Sequence, residues 1–288
     1  MKENLLITGV SSYIGNHLYD SLKNNSRFIP RKISLKDINI EDMNLSAYHT
    51  IFHVAGLAHT KLNKRNMSSY YTVNYELTKK ISNKAKSQGV KHFIFMSSMH
   101  VYSSKETIIT KTIPTNPSSH YGKSKLQAET HLKEIASDSF KVSILRPAMI
   151  YGYKSRGNFP RLIRFTKKLR LFPSFENKRS FLYIDNLIKS SMQIIDKELE
   201  GVFHLANPIP RSTTEMVSEI SKNLGIKIRF IRMNHMVRFL RQHIEVFSKL
   251  FSDYYYDDEM LSLKLTRDYC DFSESIKQTL VVDSRNEE

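Results

Sequence analysis

The sequence predicts an α/β protein built on an open, doubly wound parallel sheet, with a smaller α/β domain attached. Three stretches carry that expectation. The first is ENLLITGVSSYIGNHLYDSLKNN, an apolar strand passing through a glycine turn into an amphipathic helix at the start of the chain. The second is KHFIFMSS, an apolar run between Gly89 and the pair Ser97-Ser98, with the unbroken hydrophobicity of a strand buried on both faces. The third is SSHYGKSKLQAETHLKEIA, a helical pattern with Ser118 or Ser119 as its cap, one proline-containing loop later. Ligands of such sheets collect at the carboxyl ends of the strands, which is where Ser98 falls.

Composition narrows the classes. A chain of 288 residues can bury a large core, as one big domain or two modest ones. Its 40% hydrophobic and 25% charged residues are those of an ordinary globular protein. The single cysteine, Cys270, excludes an internal disulfide and a cysteine-rich metal site. No apolar run approaches the ~18 residues of a membrane span. The apolar part of MKENLLITGV is too short for a secretory leader and runs into a glycine turn. These features predict a cytoplasmic chain with no integral membrane segment. A net charge of +16 raises nucleic acid as a partner. The cations are spread along the chain, without a basic tail or a nucleic-acid module, so no nucleic acid is expected. The same charge suits a diphosphate substrate or peripheral contact with anionic lipid.

The elements follow in order. Leu5 to Thr8 form the first strand, and Ile14, Leu18 and Leu22 the inner stripe of the first helix. Between them Gly9 permits the tight turn, Gly15 lets helix and strand pack closely, and the helix start offers amides to a pyrophosphate. Pro30 and weak alternation make SRFIPRKISL a short or edge strand. A helix from Asn66 stops at Gly89. KVSIL (141–145) is the next strand. Arg161, Arg164 and Lys168 share one face of the helix after it. GVFHLANP (201–208) returns to the main sheet, and TTEMVSEISKNLG is a helix capped at Ser212 or Thr213 and stopped at Gly225. Residues 234–252 read as a basic amphipathic helix packed on its own domain through Val237, Leu240, Ile244, Phe247 and Phe251. The tail after Thr279 reads as polar and loose.

The chemistry concentrates in Ser98, Tyr121 and Lys125. Tyr121 and Lys125 are four apart on a helix and share a face. A phenol titrates near ~10 and is a poor proton carrier at neutral pH unless a nearby ammonium favours its anion. A serine hydroxyl can hold the same substrate oxygen without a change of charge. The trio suits moving a proton on or off a carbon-bound oxygen while hydride leaves or reaches that carbon. The spacing Y-x-x-x-K occurs three times, at Tyr19/Lys23, Tyr75/Lys79 and Tyr121/Lys125. By itself it usually marks a packed ring beside a solvated amine. Only Tyr121 follows a strand-end serine pair by one loop.

Together these residues resemble the extended short-chain dehydrogenase/reductase family of nucleotide-sugar epimerases, dehydratases and reductases, which fold on a Rossmann sheet. The family opens with T-G-x-x-G-x-x-G. Thr8-Gly9-Val10-Ser11-Ser12-Tyr13-Ile14-Gly15 matches it with Ser12 in place of the middle glycine, as in capsule and exopolysaccharide branches of the family. Phe52-His53-Val54-Ala55-Gly56, Val73-Asn74-Tyr75-Glu76-Leu77-Thr78, Ser97-Ser98, Tyr121 to Lys125, Arg146-Pro147 and Arg179 to Leu187 follow in the family order.

The resemblance implies Ser98, Tyr121 and Lys125 as the catalytic set, with Lys125 binding the nicotinamide ribose and lowering the pKa of Tyr121. It implies a cofactor site of Gly9, Ser12, Tyr13, Ile14, Gly15, Asp37, Ala55, Gly56, Asn74, Tyr121, Lys125 and Pro147. Ser98, Asn158 and Arg179 would meet the substrate, a UDP-hexose, and no metal is implied. The cofactor is NAD or NADP, and basic residues around the second strand (Arg27, Arg31, Lys32) lean towards NADP. Residues 1–152 plus 181–206 would bind NAD(P), and 153–180 plus 207–288 the nucleotide sugar, in a cleft between the two. The leading reading is reduction of a UDP-4-keto-6-deoxy (N-acetyl)hexose for surface polysaccharide. The alternative is a 4-epimerase of UDP-glucose or UDP-GlcNAc, and the third a non-catalytic NAD(P)-binding sensor. Met99-His100, where dehydratases carry Asp-Glu, argues against a dehydratase. Ala58, where UDP-galactose epimerases commonly carry Lys, argues against the epimerase. A homodimer stays open.

Overall fold

The computed structural model describes residues 2–58, 67–103, 108–232, 252–262 and 269–284. The chain runs β1 (Glu3–Thr8), α1 (Tyr13–Leu22), β2 (Phe28–Ile33), β3 (Thr50–His53), α2 (Ser68–Tyr71), a π-helical turn (Thr72–Glu76), α3 (Leu77–Ser87) and β4 (His92–Met96). Then come β5 (Ile108–Ile109), α4 (His120–Ile135), β6 (Lys141–Pro147), β7 (Met149–Tyr151), α5 (Asn158–Lys168), β8 (Leu171–Ser174) and β9 (Phe181–Tyr183). The last are α6 (Ile184–Asp196), β10 (Gly201–Leu205), α7 (Thr213–Asn223), β11 (Arg229–Arg232), β12 (Tyr255–Tyr256) and α8 (Phe272–Ser284).

Two compact units result. The first is Met1–Ser104, Thr112–Pro147 and Leu187–Leu205; the second is Lys105–Lys111, Ala148–Asn186 and Ala206–Glu288. Residues 148–152 and 181–186, grouped with the first domain from sequence, lie in the second unit, because β7 pairs with β9 instead of joining the large sheet.

The first unit holds a parallel six-stranded sheet in the order β10-β6-β4-β3-β1-β2. The central strands are apolar throughout because helices cover both faces. Leu5, Leu6 and Ile7 of β1 and all of β4 are buried, and Phe93, Phe95, Ile81 and Leu132 belong to one core cluster. β2 is the edge strand expected from Pro30, since an edge tolerates a missing ladder donor. Gly89, at φ +81, ends α3 as expected. The expected basic amphipathic helix at 234–252 lies, but for Ser252, outside the described residues.

Two further expectations need correction. Glu3 stands opposite Phe28 in the parallel pairing, so Arg27 lies at the amino end of β2, where it bonds Glu3 and the Asp196 carbonyl. That is the wrong end for a cofactor phosphate. The described part of the tail after Thr279 is helical: α8 runs to Ser284, with Thr279 and Leu280 buried, because Ser275, Thr279 and Leu280 continue an inner face at helical spacing.

The second unit contains the short pairs β7/β9, β8/β11 and β5/β12, with α5 packed on α7 and α7 on α8. At its centre Tyr151 is fully buried, bonded to Ser275 at 2.6 Å and accepting from Asn207 at 3.2 Å, and burial pushes its phenol up to about 12. Among the described residues no helix is long and apolar enough to cross a membrane.

At the amino ends of the sheet strands, Glu198 accepts from Lys141 at 2.9 Å and meets His49 at 2.8 Å. Those bonds hold its carboxyl down at about 2, against an ordinary 4.5. A lowered carboxylate stabilises fully above its unfolded pKa and loses that contribution as pH falls through the folded value. Glu198→Gln should therefore cost about 1 kcal/mol at neutral pH. The gap to wild type in denaturant titrations should close as pH falls from 4.5 towards 2. A gap that does not change with pH would remove the ion pair as its cause.

Candidate active site

The arrangement of Ser98, Tyr121 and Lys125 begins with the start of α4. Ser119 caps that helix, its hydroxyl accepting the Gly122 amide at 3.1 Å. Gly122 is required there: a Cβ would lie 2.2 Å from the His100 carbonyl oxygen and 2.7 Å from Pro117. The first turn of α4 is thus pressed against the segment that follows β4. Tyr121 is brought to Ser98, whose side chain hydrogen-bonds it and also accepts the His100 amide at 3.2 Å. The rings of Tyr70 and His100 flank Tyr121, with centroids 5.9 and 6.1 Å away. One turn on, Lys125 is buried, donates to the Met96 carbonyl at 2.8 Å and stands 4.6 Å from the Phe95 ring centroid.

The electrostatics differ from the sequence expectation. Burial raises the Tyr121 phenol above its ordinary value, the Ser98 bond opposes the rise, and Tyr70 adds to it. Lys125 is not among the groups that set this direction. Lys125 is itself pushed down to about 7 by burial, with Glu129 opposing in part, and its amine is engaged with a backbone carbonyl.

The expected cofactor residues of the first unit, Asp37 after β2 apart, gather at the carboxyl ends of β1, β3, β4 and β6. Gly9 turns at φ +92, and a Cβ there would lie 3.3 Å from the Ala55 backbone. A Cβ on Gly15 would press Val54 at 3.1 Å and Ile7 at 3.2 Å, so this glycine serves helix–strand packing. Ser12 is the N-cap of α1: its hydroxyl takes the Gly15 amide and its carbonyl the Asn16 amide. Two first-turn amides are therefore already engaged, with Tyr13 and Ile14 opening the helix. A Cβ on Gly56 would meet Asn74 Oδ1 at 2.9 Å and Lys125 Nζ at 3.2 Å, so bare backbone faces the lysine. Pro147 ends β6, buried, and Asp37 sits in the exposed turn after β2 at φ +59. These close approaches of bare backbone around a helix start fit a dinucleotide.

Asn74 lies in the π-helical turn, a feature often found at functional sites. Its amide is spent on protein: Oδ1 accepts from Leu57 N, and Nδ2 donates to Leu57 O and to Ser124 Oγ. It therefore clamps the segment after β3 onto α4. Beneath it Thr78 donates to the Asn74 carbonyl, so His53 Nε2–H must donate to Thr78 and Thr8 must donate to His53 Nδ1. Burial holds that histidine neutral, at about 3. Of the cations near β2, Lys32 donates to Asn16 and covers the Tyr19 ring, leaving Arg31 exposed near the carboxyl end.

One group escaped the sequence reading. Glu129, fully buried, accepts from Ser97 and is bound bidentately by Arg146, through Nε at 3.0 Å and Nη2 at 2.5 Å. Arg146 Nη1 also donates to Tyr102 at 2.7 Å, whose proton then goes to His204 Nε2 at 2.9 Å. The available signal was spacing, since Glu129 follows Lys125 by four on the same helical face.

Asn158 and Arg179 belong to the second unit. Asn158 is exposed and opens α5 directly after Gly157 at φ +96. Arg179 exchanges backbone bonds with Arg211 and donates from Nη1 to the Ser252 carbonyl at 2.9 Å. Burial lowers its guanidinium from the ordinary value.

A Rossmann sheet with this Ser-Tyr-Lys set defines an NAD(P)-dependent enzyme of the short-chain type. The sequence model of the NAD dependent epimerase/dehydratase family matches residues 5–207, and the chain belongs to that family. It is 31% identical over 249 residues to a UDP-glucose 4-epimerase of Vibrio cholerae, covering 77% of this chain and 76% of the relative. It is 27% identical over 248 residues to the N-acetyl-α-D-glucosaminyl-diphospho-ditrans,octacis-undecaprenol 4-epimerase of Escherichia coli O157:H7, covering 79% of this chain and 74% of the relative. The fold matches a UDP-N-acetylglucosamine 4-epimerase of Methanobrevibacter ruminantium M1 with a TM-score of 0.77 at 20% identity, over 99% of this chain and 100% of the other. It matches a dTDP-4-dehydrorhamnose reductase of Clostridium acetobutylicum with a TM-score of 0.74 at 20% identity, over 98% and 99%.

Tyr121→Phe removes one oxygen from a site that otherwise stays packed. It should lower turnover by ~10²–10⁴-fold with cofactor affinity nearly unchanged, whereas Tyr19→Phe and Tyr75→Phe should be mild. A Tyr121→Phe enzyme keeping more than about a tenth of the rate would exclude Tyr121 as the proton carrier. Glu129→Ala leaves the buried Arg146 guanidinium without its carboxylate, and should cost ~3–5 kcal/mol in denaturant unfolding. A loss under about 1 kcal/mol would mean that the pair is not structural.

Proposed function

We propose that this protein is a 4-epimerase of a diphosphate-linked hexose, with UDP-glucose or UDP-N-acetylglucosamine as the substrate class. The observation that carries the reading is the Ser98–Tyr121–Lys125 set at the end of β4 with Met99-His100 beside it. That set can exchange a proton with a sugar oxygen, and Met99-His100 supplies no carboxylate for eliminating water. Two relatives over most of their length are 4-epimerases, and the substrates in their names share a sugar diphosphate.

When bound, the nicotinamide supplies the hydride acceptor and donor. Tyr121 takes the proton of the C4 hydroxyl as hydride leaves C4, and returns it when hydride comes back on the other face. Ser98 holds the C4 oxygen through both halves, and Lys125 anchors the nicotinamide ribose. The reductase, placed first from sequence, remains the second reading on one observation: Arg31 is an exposed cation near the carboxyl end of β2, where an adenosine 2′-phosphate would be met.

Incubation with UDP-glucose and UDP-N-acetylglucosamine, followed by NMR of the sugar ring, tests the proposal. The expected result is inversion at C4, with NAD that co-purifies or is needed only in catalytic amounts. Absence of any C4 epimer, with NADPH consumed stoichiometrically by a UDP-4-keto sugar, would replace it with the reductase.

A further inference from the structure

α5 shows two different faces. Phe159, Leu162, Ile163 and Thr166 are buried, and α5 packs against α7. Turned away from them are Arg161, Arg164, Phe165, Lys167 and Lys168, every one exposed. Phe165 shows 57% of its surface, and Leu171, at the start of β8 just past the helix end, shows 54%. The cationic surface continues onto the small sheet. The Arg229 amide bonds the Arg170 carbonyl, and Arg229 is paired with Leu171 and exposed like it. The ring contact between Phe172 and Phe230 lies one residue on in both strands, where alternation turns side chains to the opposite face. No Asp or Glu occurs in 153–175 or in 226–232, which together carry ten Lys and Arg.

We infer that this face of the second unit docks on an anionic bilayer surface, with Phe165 and Leu171 entering the headgroup–acyl boundary and the surrounding cations meeting lipid phosphates. Apolar side chains ringed by cations on one amphipathic face are the pairing that interfacial binding needs, because neither an apolar contact nor charge alone holds a protein there firmly. A second copy of this chain is a poor occupant, since a two-fold contact sets the same patch against itself and would oppose cation to cation. Nucleic acid would satisfy the charge but give the exposed leucine nothing to enter.

Co-sedimentation of the full chain with vesicles tests this without reference to turnover. Vesicles of phosphatidylcholine with about 30% phosphatidylglycerol should bind the protein, pure phosphatidylcholine should not, and about 0.5 M salt should release it. Lys168→Glu with Arg170→Glu should weaken partitioning more than about tenfold. Phe165→Ala with Leu171→Ala should weaken it several-fold at unchanged charge, which a purely electrostatic contact would not show. All four positions are exposed, so circular dichroism and turnover of a soluble nucleotide sugar should match wild type. Failure of docking with turnover intact, and failure of the 4-epimerase reading with docking intact, are distinct results. Equal binding to neutral vesicles, no binding to either kind, or full binding by both double variants would overturn the inference.

Discussion

The buried pair Arg146–Glu129 is the constraint on which the site geometry rests. Taking two ions out of water costs several kcal/mol each, and their attraction offsets this only where the remaining lone pairs and protons find partners. Here they do: Ser97 reaches one carboxylate oxygen, Arg146 grips both, and Tyr102 with His204 continues the chain. The pair joins α4 to β6, and Ser97 joins both to the end of β4. Tyr121, Lys125 and Glu129 follow one another at four-residue steps on α4, so fixing Glu129 fixes the rotation of the helix. Ser98 is the next residue after Ser97. Register between phenol and hydroxyl is therefore set from below, by groups outside the Ser98–Tyr121–Lys125 set.

The same burial sets the charges. His53 is neutral at about 3, Lys125 is held down to about 7, and Tyr121 is held as a phenol. A protonated phenol is ready to give its proton, which is the reductive direction. The oxidative direction needs the phenolate, and a positive charge close to the ring favours that form. The oxidised nicotinamide carries such a charge and the reduced form does not. With Tyr121 as the proposed proton carrier, electrostatics would couple cofactor redox state to the direction of proton transfer. In a 4-epimerase the coupling alternates within one turnover.

Much of this was legible in the sequence, for identifiable reasons. A strand buried on both faces is an unbroken apolar run, so β1 and β4 stood out, and Pro30 announced an edge. The strand-end serines separated Tyr121 from the other Tyr-Lys pairs, and the structure occupies those otherwise: Lys23 pairs with Asp20, and Lys79 lies 6.0 Å from the Tyr75 ring centroid. What stayed hidden depends on contacts between distant residues. Nothing local says that Glu129 meets Arg146, or that Asn74 spends its amide on Leu57 and Ser124. The misplacement of Arg27 came from ignoring register, which fixes the end of a strand on which a side chain falls. The boundary at 147/148 was missed because β7 and β9 are each three residues long, too short for a period to register.

Ser12 shows how one departure from the family pattern is absorbed. A middle glycine leaves room for close approach at the first turn of the helix, and a serine adds a Cβ and a hydroxyl there. The Cβ is accommodated by the glycines on either side, since side chains at Gly9 or Gly15 would stand only 3.5 and 3.3 Å from it. The hydroxyl caps α1, worth about 1 kcal/mol relative to alanine, and occupies an amide that could otherwise meet an anion. The loop thus trades one donor for a turn fixed before anything binds. A pre-set turn loses less conformational freedom on binding, so part of the affinity given up with the donor returns as ordering already done.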